Sequence, residues 1–282
     1  MNRKLPPISM AYLTCQTLPP PGAVGLAEDL GYDAVGLRIR PAAPGGAFSP
    51  LIEDPALLRE TRARLDGSPV TVFDVEIIRL DPGFRAASVT PFLEVCAALG
   101  ARAVLVAGDD ADRGRLTASF AAFCEAAAPF GLKAGLEFMP WTALKTARDA
   151  LGVVEAAGLP NGTVLVDALH QARSDSPLPD IAAIPPERLC YAQICDAPPG
   201  IPDTAEEMIF TARSERLLPG EGGIDLPALF ARLPWDLPVS VEIPSDSRVP
   251  KLGAREWARR ALETTRESLT IRHALAGAAR LG

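Results

Sequence analysis

Four segments in the second half of the chain each interrupt an apolar run with an oxygen-bearing side chain. GLEFMPWT carries Glu137, VLVDALH carries Asp167, YAQICDAP carries Gln193 and Asp196, and VSVEIPSD carries Glu242. A charge in such a run is costly to bury unless a counter-charge or a cation accompanies it. A single acid at the end of a strand often does no more than cap a helix or pair with an arginine. Four such groups in step on successive apolar runs point instead to a shared partner. Glu137, Asp167 and Glu242 would gather three negative charges, and a divalent cation relieves their repulsion. With the Gln193 amide oxygen as a fourth donor the set is all oxygen, which suits one Mn2+ or Mg2+ ion. Zn2+, which prefers histidine or cysteine, and Co2+ are the alternatives.

Other side chains fall near the same positions. The sequence has two histidines, His170 and His273. His170 follows Asp167 by three residues and is a candidate substrate contact, whereas His273 sits in a terminal helical pattern and reads as structural. Arg216 is a candidate for binding a substrate oxygen or phosphate, with a loop salt bridge as the competing reading; it precedes the turn LPGEGG, whose backbone N–H groups can cradle an anion, or whose glycines serve only to turn the chain. Glu76 ends the run DVE and is a candidate substrate residue. Arg38, Asp109 and Asp110 occupy comparable places, with solvated loop charges as the competing reading. Trp141 can form an apolar wall beside a bound ring, as can Tyr12, although core or rim packing is at least as good a reading of both.

These residues need a scaffold that brings distant segments to one rim. Apolar, strand-like runs fall near Ile8–Thr14, Ala34–Leu37, Val70–Glu76, Ala103–Ala107, Ala134–Phe138, Val164–Asp167, Cys190–Ile194 and Val239–Ile243. Runs that are apolar throughout are expected of parallel strands covered on both faces. Helical patterns lie between them, at Ala23–Leu30, Ala56–Leu65, Pro91–Leu99, Leu116–Ala127 and Ala143–Ala157, and Glu256–Leu275 follows the last strand. Glycines at Gly31, Gly100 and Gly158 mark helix stops. The α/β alternation and the length of 282 residues predict a single (β/α)8 TIM barrel spanning 1–282, with parallel strands and its active site at their C-terminal ends. An open doubly wound sheet is the structural alternative, but the first βα turn lacks a glycine-rich dinucleotide fingerprint. The proline-rich stretches Pro19–Pro21, Pro41–Pro50 and Pro198–Pro202 read as loops following strands.

Composition narrows the classes of function. With 48% hydrophobic and 22% charged residues the chain can bury a large core. Its net charge of −7 disfavours a nucleic-acid partner. The five cysteines form no CxxC pair, so neither a disulfide framework nor a thiolate metal site is expected. Neither a secretory leader nor an apolar run of about 18 residues is evident, so the expectation is a cytoplasmic protein without membrane association.

The segments LEFMPWTALKT, VLVDALHQARS, YAQICDAP, RLLPGEGGIDL and SVEIPSD resemble the xylose isomerase-like TIM-barrel superfamily, in particular its sugar phosphate isomerase/epimerase branch. The resemblance covers nearly the whole chain and is most specific from Val70 onward. It implies that Glu137, Asp167, Gln193 and Glu242 hold the metal and that His170 contacts substrate. It also matches an R-x-L-P-G-x-G element to Arg216, Leu218, Pro219, Gly220 and Gly222. One departure is Gln193, where many members have histidine; a neutral amide should hold metal more weakly. The implied activity is isomerisation or epimerisation of a sugar, sugar phosphate or related polyol. Glu137 and Glu242 would remove and return a proton beside a metal-bound carbonyl, through an enediolate. Dehydration of an inosose or 3-dehydroshikimate-like compound begins with the same proton abstraction and is the alternative. A non-catalytic binding barrel is a third reading. Repair endonucleases of the endonuclease IV type share the superfamily, but their metal cluster needs more histidines than this chain has. The expected partner is a small carbohydrate-like molecule, and a homo-oligomer is expected only by analogy.

Overall fold

The strands are β1 Ile8–Met10, β2 Ala34–Arg38, β3 Thr71–Leu80, β4 Ala103–Gly108, β5 Lys133–Glu137, β6 Gly162–Asp167, β7 Leu189–Ile194 and β8 Val239–Val241. All neighbours pair in parallel, and β1 pairs with β8 to close the barrel. The computed structural model describes residues 5–278, and side chains from 272 onward, including His273, lie outside the described residues. Because every strand runs the same way, all eight C-terminal ends meet at one rim.

The sequence dictates two apolar layers. Residues such as Val72, Val104, Val106, Val164 and Val166 face the helices, while Phe73, Leu105, Leu165 and Tyr191 fill the barrel interior. Phe73 and Tyr191 meet edge to face at 5.3 Å between ring centroids. The long helix Ala254–Ala278 is anchored from outside the barrel. The Trp257 indole donates to the Ile243 carbonyl at 2.8 Å, and the Tyr32 hydroxyl donates to the Ala258 carbonyl at 2.8 Å.

Several expected boundaries move, each for a local reason. β1 stops at Met10, and Tyr12–Thr14 form a 3-10 turn instead of continuing the strand. There the Thr14 hydroxyl donates to the Val241 carbonyl at 2.6 Å and accepts from the Ile243 N–H at 2.8 Å. A side chain thus takes over ladder bonds that a longer β1 would have made. β3 runs on to Leu80, with a register shift against β4 between Val75 and Ile78. Pro19–Pro21 is no loop, since Pro20 opens the helix Pro20–Leu30, where its fixed φ and missing N–H are tolerated. The helix expected from Ala143 begins at Ala147, because Thr146 caps it by accepting from the Asp149 N–H. Short helices unforeseen from sequence follow β6, at Ala168–Arg173 and Leu178–Ala182, and β7, at Ala205–Ser214 and Leu226–Phe230.

Candidate active site

Glu137 and Asp167 are the last residues of β5 and β6. Gln193 lies on β7 as the register partner of Asp167, and Glu242 follows β8 directly, donating its N–H to the Ile194 carbonyl at 3.1 Å. All four side chains are buried. Asp167 is extended and caps the helix Ala168–Arg173, its Oδ1 accepting the Leu169 N–H at 2.7 Å and the His170 N–H at 3.0 Å. That cap turns His170 back over the rim, where its Nε2 lies 3.6 Å from Glu137 Oε1. One donor atom each from Glu137, Asp167 and His170 falls within 4.8 Å of the others.

Arg216 ties the rest together. Its Nη1 donates to Asp167 Oδ2 at 2.6 Å, its Nη2 pairs with Glu242 Oε2 at 2.7 Å, and its Nε donates to the Ala212 carbonyl at 2.8 Å. The side chain expected either to bind substrate or to make a loop salt bridge is thus a buried hinge between two of the acids. Burial sets the electrostatics. It pushes the Glu137 carboxyl well above its usual range, reinforced by the charges of Asp167 and Glu242, and pushes Glu242 up to about 8 against the pull of Arg216. Burial works on Asp167 too, but the Arg216 charge overcomes it and holds that carboxyl low. Burial pushes His170 down to about 4, which leaves a neutral imidazole able to ligate a cation or accept a hydrogen bond.

A divalent cation fits this donor set. The carboxylates repel one another, the imidazole is neutral, and both amide atoms of Gln193 are buried without a protein partner. A buried polar group without a partner implies a missing ligand or water. The compact trio contains His170, which sequence reasoning assigned to substrate. Gln193 lies beside Asp167, while Glu242 is linked through Arg216. Deeper in the barrel, Ser9, Asp74, Tyr191 and Ser240 also have side-chain oxygens without protein partners. Asp74 is fully buried, and burial holds its carboxyl well above the usual range.

One cavity opens onto Glu137, His170, Arg216 and Glu242 and extends to Glu76, Arg38, Arg79, Trp141 and Arg213. Glu76 accepts from Arg38 at 2.6 and 3.0 Å, and the Arg38 guanidinium lies 4.6 Å above the Tyr12 ring. Trp141 is carried by a tight turn after β5, in which Met139 N–H donates to the Leu144 carbonyl and the Thr142 hydroxyl braces both backbones. It meets His170 edge-on at 4.9 Å.

Other candidates have structural work. The LPGEGG turn does cradle an anion, and that anion is Asp196, whose carboxylate accepts the N–H groups of Gly220, Gly222 and Ile224 at 3.0–3.1 Å. No room is left there for a substrate group: a Cβ on Gly222 would stand 2.3 Å from Asp196 Oδ1. Asp110 is occupied by Arg115 and the Asp112 N–H, and Asp109 pairs with Arg79 at 2.5 Å. Sequence reasoning missed Arg79, Arg213 and Asp74. The apolar runs on either side of Asp74 and Arg79 in TVFDVEIIRL carried a signal for those two.

Residues 24–268 match the family model described as xylose isomerase-like TIM barrel. A curated 3-dehydroshikimate dehydratase of Pseudomonas aeruginosa is 30% identical over 126 residues, which is 43% of this chain and 19% of that protein. The match therefore spans about a fifth of the length of that relative. The IOLI protein, solved with a zinc atom, superposes with a TM-score of 0.76 at 20% identity, covering 94% of this chain and 98% of that one. D-allulose 3-epimerase from Methylomonas sp., in complex with D-allulose, superposes with a TM-score of 0.68 at 16% identity, covering 94% and 98%. At such identities the structural likenesses establish the shared fold. Among the described residues no helix is long and apolar enough to cross a membrane.

Proposed function

Since the chain belongs to the xylose isomerase-like TIM-barrel family, we propose that it is a divalent-metal-dependent isomerase or epimerase of a sugar, sugar phosphate or related polyol. The observation that carries this reading is the pair Glu137 and Glu242, two buried carboxyls that share one cavity, both with pKa values raised by burial, beside a cation donor set. Glu137, Asp167, Gln193 and Glu242 would hold the ion, with His170 beside Glu137 as a further donor. When bound, a divalent ion neutralises the gathered acids and polarises a substrate carbonyl.

The protein's own groups handle the proton. A carboxylate whose pKa lies near the working pH both accepts and returns a proton efficiently. Glu137 and Glu242 come from strands on different sides of the mouth, so one removes a proton from the carbon beside the carbonyl and the other returns it. Arg216 holds Glu242 in place through its second nitrogen. Neutral His170 and the unpartnered Oε1 of Glu76 orient substrate hydroxyls, and Trp141 covers the apolar face of the ring.

Dehydration is the second reading, favoured by the match to a 3-dehydroshikimate dehydratase. It shares the first proton abstraction and differs in losing a hydroxyl. Incubation of the Mn2+-loaded protein with candidate ketoses in D2O tests the common step, because deuterium enters the carbon next to the carbonyl. Glu137→Gln and Glu242→Gln should each abolish exchange while circular dichroism is unchanged; a folded double variant that still exchanges removes both from their roles. New ultraviolet absorbance from a conjugated double bond would select dehydration over epimerisation.

A further inference from the structure

We propose that Arg213 determines specificity by seating a single carboxylate group of the substrate at the outer end of the active-site cavity. This names the substrate class and rests on the metal-dependent reading above. Four arginines face the cavity: Arg38, Arg79, Arg213 and Arg216. Three are occupied. Arg38 is held by Glu76, Arg79 by Asp109 and the Ala42 carbonyl, and Arg216 by Asp167 and Glu242. Arg213, in the last turn of the helix Ala205–Ser214, forms no ion pair or side-chain hydrogen bond among the described residues. Partial desolvation of this otherwise exposed side chain and the like charges of Arg79 and Arg38 lower its pKa, against the pull of Asp109.

The ion pairs give the sign and size of the missing partner. Arg38, Arg79 and Arg216 already face carboxylates, which leaves one guanidinium at the cavity without a counter-charge among the described residues. One carboxylate answers it, whereas a phosphate dianion brings a second negative charge that no free guanidinium meets, and a neutral sugar leaves Arg213 unanswered. The cation donors are buried and Arg213 is exposed. The ligand therefore has two ends, a carbonyl–hydroxyl end directed inward and a carboxylate directed outward, which accepts two parallel hydrogen bonds from the guanidinium fork.

Calorimetric titration of the Mn2+-loaded protein tests the subsite without turnover. The probes are shikimate, a cyclic polyhydroxy carboxylate, neutral myo-inositol, and fructose 6-phosphate. Shikimate should bind more tightly than either, and Arg213→Gln should weaken it by about tenfold or more while leaving Mn2+ affinity and the melting temperature unchanged. Arg213→Lys should recover part of the loss. Shikimate affinity indifferent to Arg213→Gln, no shikimate binding at millimolar concentration, or tighter binding of fructose 6-phosphate overturns the proposal. A wild-type protein that takes up no Mn2+ overturns the underlying metal-dependent reading instead.

Discussion

Replacing Arg216 by glutamine tests the electrostatic construction of the site. The guanidinium bridges Asp167 at 2.6 Å and Glu242 at 2.7 Å, and none of the three side chains is more than 5% exposed, so solvent screens these pairs little. Removing one partner of a buried pair costs about 3–5 kcal/mol, because an uncompensated charge is left behind. Here part of the cost is avoidable. Glu242 already sits at about 8 with Arg216 present, so it carries its proton at pH 7 and keeps it when the guanidinium is removed. Asp167 keeps its two backbone N–H donors and stays ionised. The expected loss is therefore near the lower bound, about 3 kcal/mol, or on the order of 10 °C in Tm for a chain of this size. The assay is thermal unfolding with chelator and again with Mn2+. A ligand at a hundred times its Kd adds about 2.7 kcal/mol, and Mn2+ should stabilise Arg216→Gln at least as much as the wild type, since it then meets carboxylates that no guanidinium contests. A loss below about 1 kcal/mol in chelator, or no Mn2+ shift in the variant, would refute the reasoning.

Three further outcomes follow from the same structure. Gln193→His should raise Mn2+ affinity and Gln193→Ala should lower it, read by titration calorimetry; equal affinities would take residue 193 out of the ligand set. Asp74→Asn should remove a pH dependence: a carboxyl whose folded pKa is raised by burial contributes stability that is complete below the unfolded value near 3.8 and is lost as pH rises through the folded one. In chelator the variant should therefore gain on the wild type as pH rises above about 4, by at most about 1.4 kcal/mol per pH unit, and parallel denaturation curves would contradict this. Gly222→Ala should destabilise the protein by about 1–3 kcal/mol, because the new methyl would stand 2.2 Å from the Ala197 carbonyl oxygen; an unchanged urea midpoint would show that the turn yields.

The barrel was legible in the sequence because strands covered on both faces must be apolar, so the run AVLVAG of β4 reads without ambiguity. The same contrast exposed Glu137, Asp167, Gln193 and Glu242, since each breaks such a run. What could not be read was set by contacts between distant segments. Thr14 ends β1 early only because Val241 and Ile243 lie across from it. Asp196 resembled a site residue by spacing, and its role as the anion inside LPGEGG depends on a turn that begins some twenty residues later. Arg213 lies beyond the loop Pro198–Pro202 in a stretch that showed no element in the sequence, where the helix Ala205–Ser214 forms and carries it to the mouth. Asp74 broke its apolar run as Glu137 does, but that its carboxyl meets no partner depends on the side chains that the other strands bring into the barrel interior.

Anomalous diffraction from Mn2+-soaked crystals addresses the gathering of these donors most directly. One peak at the rim, within coordination distance of Glu137 and Asp167 and bordered by Gln193 and Glu242, is the expected result. Fully loaded crystals with no peak there, or with manganese bound only at the protein surface, would contradict it.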